Sequence, residues 1–306
     1  MMQSLIHATQ LERRYGSHLA VAGLDIELCR GDILGFLGPN GAGKSTSMRM
    51  LTGNLAPHGG RVLIDGIDLL EQPLRAKRNL GYLPETPPLY REMTVDEYLG
   101  FAARINAIPK AACAAAVERA KQRCGLRDVG RRLIGNLSKG YQQRVGIAQA
   151  IIHDPLVVVL DEPTVGLDPN QIREIRALIR ELGEAHSVIL STHILPEVQS
   201  LCNRVQIIHQ GRTLYSDRLS QAQTAVEGLR IRLRQDPPEG QLLTLAGVRT
   251  AQRLPDGHWQ LGLEATADIA ELAAQLVARG WGLLALEPQR RSLEQIFVQL
   301  TTGEAA

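Results

Sequence analysis

Residues 38–46 of this 306-residue chain read Gly38-Pro39-Asn40-Gly41-Ala42-Gly43-Lys44-Ser45-Thr46, which fits G-x-x-x-x-G-K-[ST]. Glycines at this spacing let successive backbone N–H groups turn inward around phosphate oxygens, and a following helix adds its positive end. Lys44 brings a mobile point charge to the β- and γ-phosphates, and Ser45 offers a hydroxyl to Mg²⁺. A second set follows the apolar run Val157-Val158-Val159-Leu160. There Asp161 is placed to hold the metal, and Glu162 to polarise an attacking water. His193, in Ser191-Thr192-His193, ends a third apolar run, where its imidazole can hydrogen-bond a γ-phosphate. His7, His18, His58, His153, His186, His209 and His258 have no such context. The chemistry these residues suit is hydrolysis of a nucleoside triphosphate with Mg²⁺ as cofactor.

Such residues must be delivered by strands and helices of a particular kind. Residues 33–37 form an unbroken apolar run, as expected of a strand buried on both faces, and a helical pattern follows from Lys44 to Leu51. Residues 157–160 and 188–191 read as further buried strands, and residues 172–182 as a helix between them. Before them, residues 5–8 and 24–28 alternate as antiparallel strands around a turn at Tyr15-Gly16-Ser17, and residues 61–66 form a strand closed by a turn. Residues 94–125 read as helical, opening on the capping-box-like Thr94-Val95-Asp96-Glu97. Strand alternating with helix to about residue 215 predicts an α/β fold with a mainly parallel sheet and an inserted helical block. A composition shift near Asp217 starts a small α+β appendage. It has a helical bridge over 219–225, strands over 229–233, 259–263 and 283–286, a turn at Pro237-Pro238-Glu239-Gly240, and helices over 269–279 and 293–300. The domains expected are therefore 1–216, with the helical subdomain at about 86–150, and 217–306.

Composition narrows the function classes. Lys+Arg 34 against Asp+Glu 32 gives a net charge of +2, far from the basic field a nucleic-acid binder needs, so no nucleic-acid partner is expected. Aromatic residues at 4% also argue against a base-stacking platform. Cys29, Cys113, Cys124 and Cys202 include no C-x-x-C pair, which disfavours a zinc or redox motif. The N-terminal residues lack a basic-then-apolar leader pattern, and no uncharged apolar stretch reaches the ~18–20 residues that span a bilayer. Only five lysines occur among these cations, Lys44, Lys77, Lys110, Lys121 and Lys139, so each one stands out.

Lys139 lies in Leu137-Ser138-Lys139-Gly140-Tyr141-Gln142-Gln143-Arg144, which resembles the signature motif of ATP-binding-cassette (ABC) ATPases. With the two nucleotide motifs, Gly166-Leu167-Asp168 as a D-loop and His193 as switch histidine, the resemblance covers about residues 1–215. It implies a P-loop NTPase fold of the ABC type with an antiparallel N-terminal subdomain. It also implies a head-to-tail dimer, in which Ser138 and Gly140 of one subunit clamp the γ-phosphate bound by the other's Lys44. Tyr15 matches the aromatic that stacks on adenine, and Asp168 joins the nucleotide-contacting set.

Two departures from the family pattern matter. Lys139-Gly140-Tyr141 stands where the usual signature has Gly-Gly-Gln, so Lys139 either adds a cation near the phosphates or points to solvent. Glu85, in Gly81-Tyr82-Leu83-Pro84-Glu85, replaces the Q-loop glutamine; it either reaches Mg²⁺ or is displaced from it. Both departures, with the C-terminal phrase Arg291-Ser292-Leu293-Glu294-Gln295-Ile296-Phe297, resemble ATPase subunits of bacterial exporters, including the gliding-motility-associated type. The resemblance implies a subunit at the cytoplasmic face of the membrane that powers a separately encoded permease. The permease would be received near Thr86-Pro87-Pro88-Leu89-Tyr90. Two other readings are a soluble ABC ATPase with a nucleic-acid role and a regulatory ATP-binding module with little turnover.

Overall fold

Unbroken apolar runs in the central strands, buried on both faces, explain the layering of the larger unit. The structure, a computed structural model, describes residues 3–219, 226–264, 267–290 and 293–302. The chain divides into two compact units, Met1–Leu219 and Ser220–Ala306. The first begins with β1 (Ser4–Tyr15), β2 (His18–Cys29), β3 (Ile33–Leu37), α1 (Lys44–Leu51), β4 (Gly59–Ile64), β5 (Ile67–Asp68), α2 (Pro73–Lys77) and β6 (Leu80–Leu83). It continues with α3 (Val95–Ile105), α4 (Lys110–Arg123), α5 (Lys139–Ile151), β7 (Val157–Asp161), α6 (Pro169–Ala185), β8 (Ser187–Thr192), α7 (Leu195–Leu201), β9 (Arg204–His209) and β10 (Arg212–Arg218).

Six strands form the central sheet in the order β10-β9-β3-β8-β7-β6, parallel except for the β9–β10 hairpin. Alternate residues of β7 serve two different cores. Val158 and Leu160 join a cluster with α3, α5 and α6, whereas Val157 and Val159 join one with α1 and the antiparallel strands. Because both faces are covered, every position of β7 is apolar until Asp161. The second sheet, β2-β1-β4-β5, is antiparallel and carries Tyr15 at the end of β1.

The helical reading of 94–125 needs one correction. Residues 106–109 interrupt it, with Ala107 at φ 55° and Pro109 as the N-cap of α4. Proline cannot continue the ladder of α3 but is well suited to start a helix. The capping box at Thr94 is present: its hydroxyl accepts from Glu97 N–H, and the Glu97 carboxylate accepts from Thr94 N–H.

The second unit contains β11 (Val226–Leu233), α8 (Glu239–Leu242), β12 (Val248–Arg253), β13 (Trp259–Leu263), α9 (Ile269–Ala278), β14 (Leu283–Arg290) and α10 (Leu293–Thr302). Its strand order β12-β13-β11-β14, all antiparallel, is that of a split βαβ, ferredoxin-like sheet. Leu229, Ile231 and Leu233 face its core with Trp259, Leu261, Leu272 and Leu276. The turn expected at Pro237-Pro238-Glu239-Gly240 instead starts a helix, with Pro238 as N-cap of α8. The helical bridge expected over 219–225 lies, apart from Leu219, outside the described residues, as do Arg291 and Ser292 of the C-terminal phrase.

Two histidines at the start of β6, β7 and β8 make stability pH-dependent. His153 Nε2 lies 3.1 Å from the Leu80 carbonyl and His186 Nδ1 2.7 Å from that of Pro155. Their other nitrogens are buried without hydrogen-bond partners. Burial holds both pKa values below the usual 6.5, against an opposing pull from those carbonyls and Asp154. Above that value both rings are neutral whether the chain is folded or not. As pH falls, the unfolded chain takes up protons first, so stability present near neutrality is lost as pH drops through the folded values. The melting temperature should fall between about pH 7.5 and about pH 5.5. His186→Gln should flatten that slope in a thermal-shift series.

Candidate functional site

Strand register brings the separated motifs together. Leu37 pairs with Thr192, Asp161 with Ser191, and Leu83 with Leu160. Strands β3, β8, β7 and β6 therefore end at one edge, and the residues just beyond them are Gly38, His193, Glu162 and Glu85. That carboxyl edge of a parallel sheet is where ligands bind. A cavity of about 530 Å³ opens there, lined by Tyr15, Asn40, Gly43, Lys44, Ser45, Thr46, Glu85, Glu162 and His193 among others.

The phosphate loop turns tightly before α1. Gly43 caps the helix at φ 100°, and a Cβ there would stand 2.6 Å from the Ala20 carbonyl oxygen. Only glycine fits so close a backbone approach. Lys44 is 6% exposed, and its Nζ donates to the carbonyls of Gly38 at 2.8 Å and Pro39 at 3.2 Å. Its remaining proton faces Glu162 Oε1 at 3.3 Å. The three donors of the ammonium are thus aimed at three oxygens.

Glu162 lies one residue past β7 at φ 48°, a left-handed conformation uncommon outside glycine. Its N–H is held by the backbone carbonyl and the hydroxyl of Ser191, both at 3.1 Å. The carboxylate, buried beside Lys44, also lies 3.0 Å from His193 Nδ1 through Oε2. A continuous line runs from Lys44 through Glu162 to His193.

Asp161 faces Ser45, whose hydroxyl donates to its Oδ1 at 3.3 Å, and it also accepts from the Ser191 hydroxyl. Burial pushes the Asp161 carboxyl above its usual range, the two serine hydrogen bonds oppose this, and the charge of Glu85 adds to the rise. Burial and the Asp161 charge also push the Tyr82 phenol up to about 12. A buried carboxylate beside a serine hydroxyl is a donor set of hard oxygens, which suits Mg²⁺.

The remaining candidates fall into separate places. Gly38, Pro39 and Ala42 shape the loop without lining the cavity. Tyr15 lines it, half-exposed, with the Arg13 guanidinium 5.4 Å from its ring centroid. Ser138 caps α5, accepting from Tyr141 N–H at 3.4 Å, and Gly140 in the same turn is covered by Gln171. Asp168 caps α6, accepting from the N–H groups of Asn170 at 2.9 Å and Gln171 at 3.0 Å. None of Ser138, Gly140 and Asp168 lines the cavity of their own chain. Lys139 reaches Gly166 of the D-loop: its Nζ occupies the space that a Gly166 Cβ would take. It also lines a groove of about 360 Å³ with Glu85, Thr86, Pro87, Leu89 and Arg91.

Four contributors escaped sequence reasoning. His18 and Ala20 line the cavity from β2, Val165 lines it from the turn after β7, and Ser191 holds Asp161 and Glu162 in register. Ser191 stands two residues before His193, a signal that could have been used. His18 and Ala20 have none, because only the approach of β2 to the loop puts them there.

The family described as ABC transporter matches residues 21–165. The bacitracin transport ATP-binding protein BcrA of Bacillus licheniformis is 40% identical over 215 residues, 70% of this chain and 69% of its own. This chain belongs to the family of ABC transporter ATP-binding proteins. An uncharacterised member from Bacillus subtilis, YdbJ, is 32% identical over 99% of this chain and 97% of its own, so that relative spans both units. A solved ATP-binding subunit of an ABC transporter superposes with a TM-score of 0.65 at 30% identity, covering 72% of this chain and 92% of its own. The cassette fold is therefore shared over 72% of this chain. Among the described residues, no helix is long and apolar enough to cross a membrane.

Proposed function

We propose that this ABC protein is the ATP-hydrolysing subunit of an exporter, working as a head-to-tail dimer on a separately encoded permease at the cytoplasmic face of the membrane. The observation that carries the reading is the line from Lys44 through Glu162 to His193 at the strand ends. A γ-phosphate approaching Lys44 competes with Glu162 for the ammonium. When Lys44 turns to the phosphate, the Glu162 carboxylate is released toward the attacking water, with His193 at its other oxygen. Glu162 then accepts the water proton as attack proceeds in line, while the loop N–H groups and Lys44 hold the leaving phosphates. Ser45 and Asp161 would hold Mg²⁺, which would supply neutralisation of phosphate charge, and Glu85 lines the same cavity.

Ser138 and Gly140 lie away from the cavity of their own chain, and this supports their use on the nucleotide of a second copy. The groove beside Glu85, where Pro87 and Leu89 stand among Arg91, Lys139, Gln142 and Gln143, suits an amphipathic helix of the permease. Its wall, shared with the nucleotide cavity through Glu85 and Val165, offers a route by which closure is felt. The BcrA relative's role in bacitracin transport supports a transport function.

Complementation tests the dimer. Lys44→Ala chains and Ser138→Ala chains should each fail to hydrolyse ATP alone. Mixed, they form one composite site from intact Lys44 and intact Ser138, and hydrolysis should return. No recovery on mixing, with both variants folded and dimeric, would overturn the head-to-tail reading. Co-purification with the polytopic product of an adjacent gene, and stimulation of hydrolysis by it, tests the permease.

A further inference from the structure

A buried carboxylate just beyond the switch histidine has no part in the hydrolytic scheme above. Glu197, in the first turn of α7, is 0% exposed, as is Thr192 at the end of β8. The Thr192 hydroxyl donates to Glu197 Oε2 at 2.8 Å and accepts from the Ile194 N–H at 3.0 Å. This hydroxyl therefore spans His193, tying the residue before it to the residue after it. The Thr192 carbonyl in turn accepts from the Gly38 N–H at 3.4 Å, which attaches the same turn to the phosphate loop. On its other side, Glu197 Oε1 accepts from Arg176 Nη2 at 3.2 Å. Arg176 belongs to α6, the helix that Asp168 of the D-loop caps, and its Nε is buried with no hydrogen-bond partner.

A buried charge is costly, and a neutral side chain of the same shape could fill this space. What the charge adds is direction. An ionised carboxylate only accepts, so it points the Thr192 hydrogen at itself and leaves a lone pair for Ile194 N–H. An amide could turn its NH₂ toward Thr192 and reverse that bond. The charge also attracts Arg176, which fastens α6 to the same turn.

We propose that Glu197 is a positioning residue for His193, acting through the Thr192 hydroxyl, with Arg176 coupling that position to the helix capped by the D-loop. The proposal rests on the reading that Glu162 and His193 serve hydrolysis. Its test is steady-state ATP hydrolysis by the purified full chain with Mg²⁺. Thr192→Val, nearly isosteric, should lower kcat by about tenfold while KM for ATP stays within about twofold. Thr192→Ser, which keeps the hydroxyl, should restore kcat to within about twofold of the unaltered chain. In a His193→Ala background, Thr192→Val should have no further effect, because the group it positions is gone.

If Thr192→Val does not fold, Glu197→Gln at nearly constant volume gives the same reading. An unchanged kcat per folded molecule with only a lower melting temperature would overturn the proposal. So would a full tenfold loss added on top of His193→Ala. Wild-type hydrolysis by His193→Ala would remove the hydrolytic role of His193 and this proposal together. Slow hydrolysis by His193→Ala beside an unimpaired Thr192→Val would overturn this proposal alone.

Discussion

Glu162→Gln is expected to lower kcat for ATP hydrolysis by about 10²–10⁴-fold, the usual contribution of a positioned general base. The substitution keeps the volume and hydrogen-bonding capacity beside Lys44 and His193 but removes the lone-pair basicity that takes up the water proton. The left-handed backbone at Glu162 is held by two bonds from its N–H to Ser191, and neither involves the side chain. The fold should therefore tolerate the change. Affinity for ATP should hold or rise, because the carboxylate 3.3 Å from Lys44 Nζ competes with the γ-phosphate for that ammonium. An amide competes far less. Single-turnover hydrolysis and equilibrium nucleotide binding, measured on the same preparation, separate the two effects. Undiminished hydrolysis would remove Glu162 from the chemistry.

Lys44→Ala should weaken nucleotide binding by about 10–100-fold, as expected for losing a charge-assisted contact worth about 1.5–3 kcal/mol. It should abolish measurable turnover as well. The ammonium also neutralises the buried Glu162 carboxylate, so its removal strands a charge in a site where Glu162 is only 6% exposed. The melting temperature of the nucleotide-free chain should fall as a second consequence. Lys44→Arg should not rescue binding, since a planar fork cannot aim three protons at the Gly38 and Pro39 carbonyls and a third oxygen. Binding by isothermal titration, with a thermal melt of each variant, checks all three statements. Full binding by Lys44→Arg would mean that charge alone suffices at this position.

How much of this site could be read from the chain follows from how local each part is. Residues 38–46 work through consecutive N–H groups and the helix they open, so their order in sequence is already their geometry. Asp161-Glu162 and His193 were legible because doubly buried strands are unbroken apolar runs, and the polar residue ending such a run marks the carboxyl edge of the sheet. The shorter elements β5, α2, α7 and β10 left little trace. They depend on packing rather than on periodicity, and a few residues cannot establish a period. The break between α3 and α4 was hidden by an alanine-rich segment that is helix-favouring on both sides of Pro109.

The sequence by itself determined the family of ATP-binding proteins, the alternation of strand and helix that builds the parallel sheet, and the presence of a second unit with its own apolar pattern. Tertiary structure alone decided that Lys44 is shared between two carbonyls and Glu162, and that Ser191 holds both acids. It also decided that Lys139 lies over Gly166, and that Glu197 joins Thr192 to Arg176. The contacts of Lys44 with Glu162, Ser191 with Asp161, Lys139 with Gly166 and Arg176 with Glu197 join segments far apart in the chain. The distances at the strand ends depend on register, and a slip of one residue in β7 or β8 would turn Asp161, Ser191 and Thr192 to the opposite face.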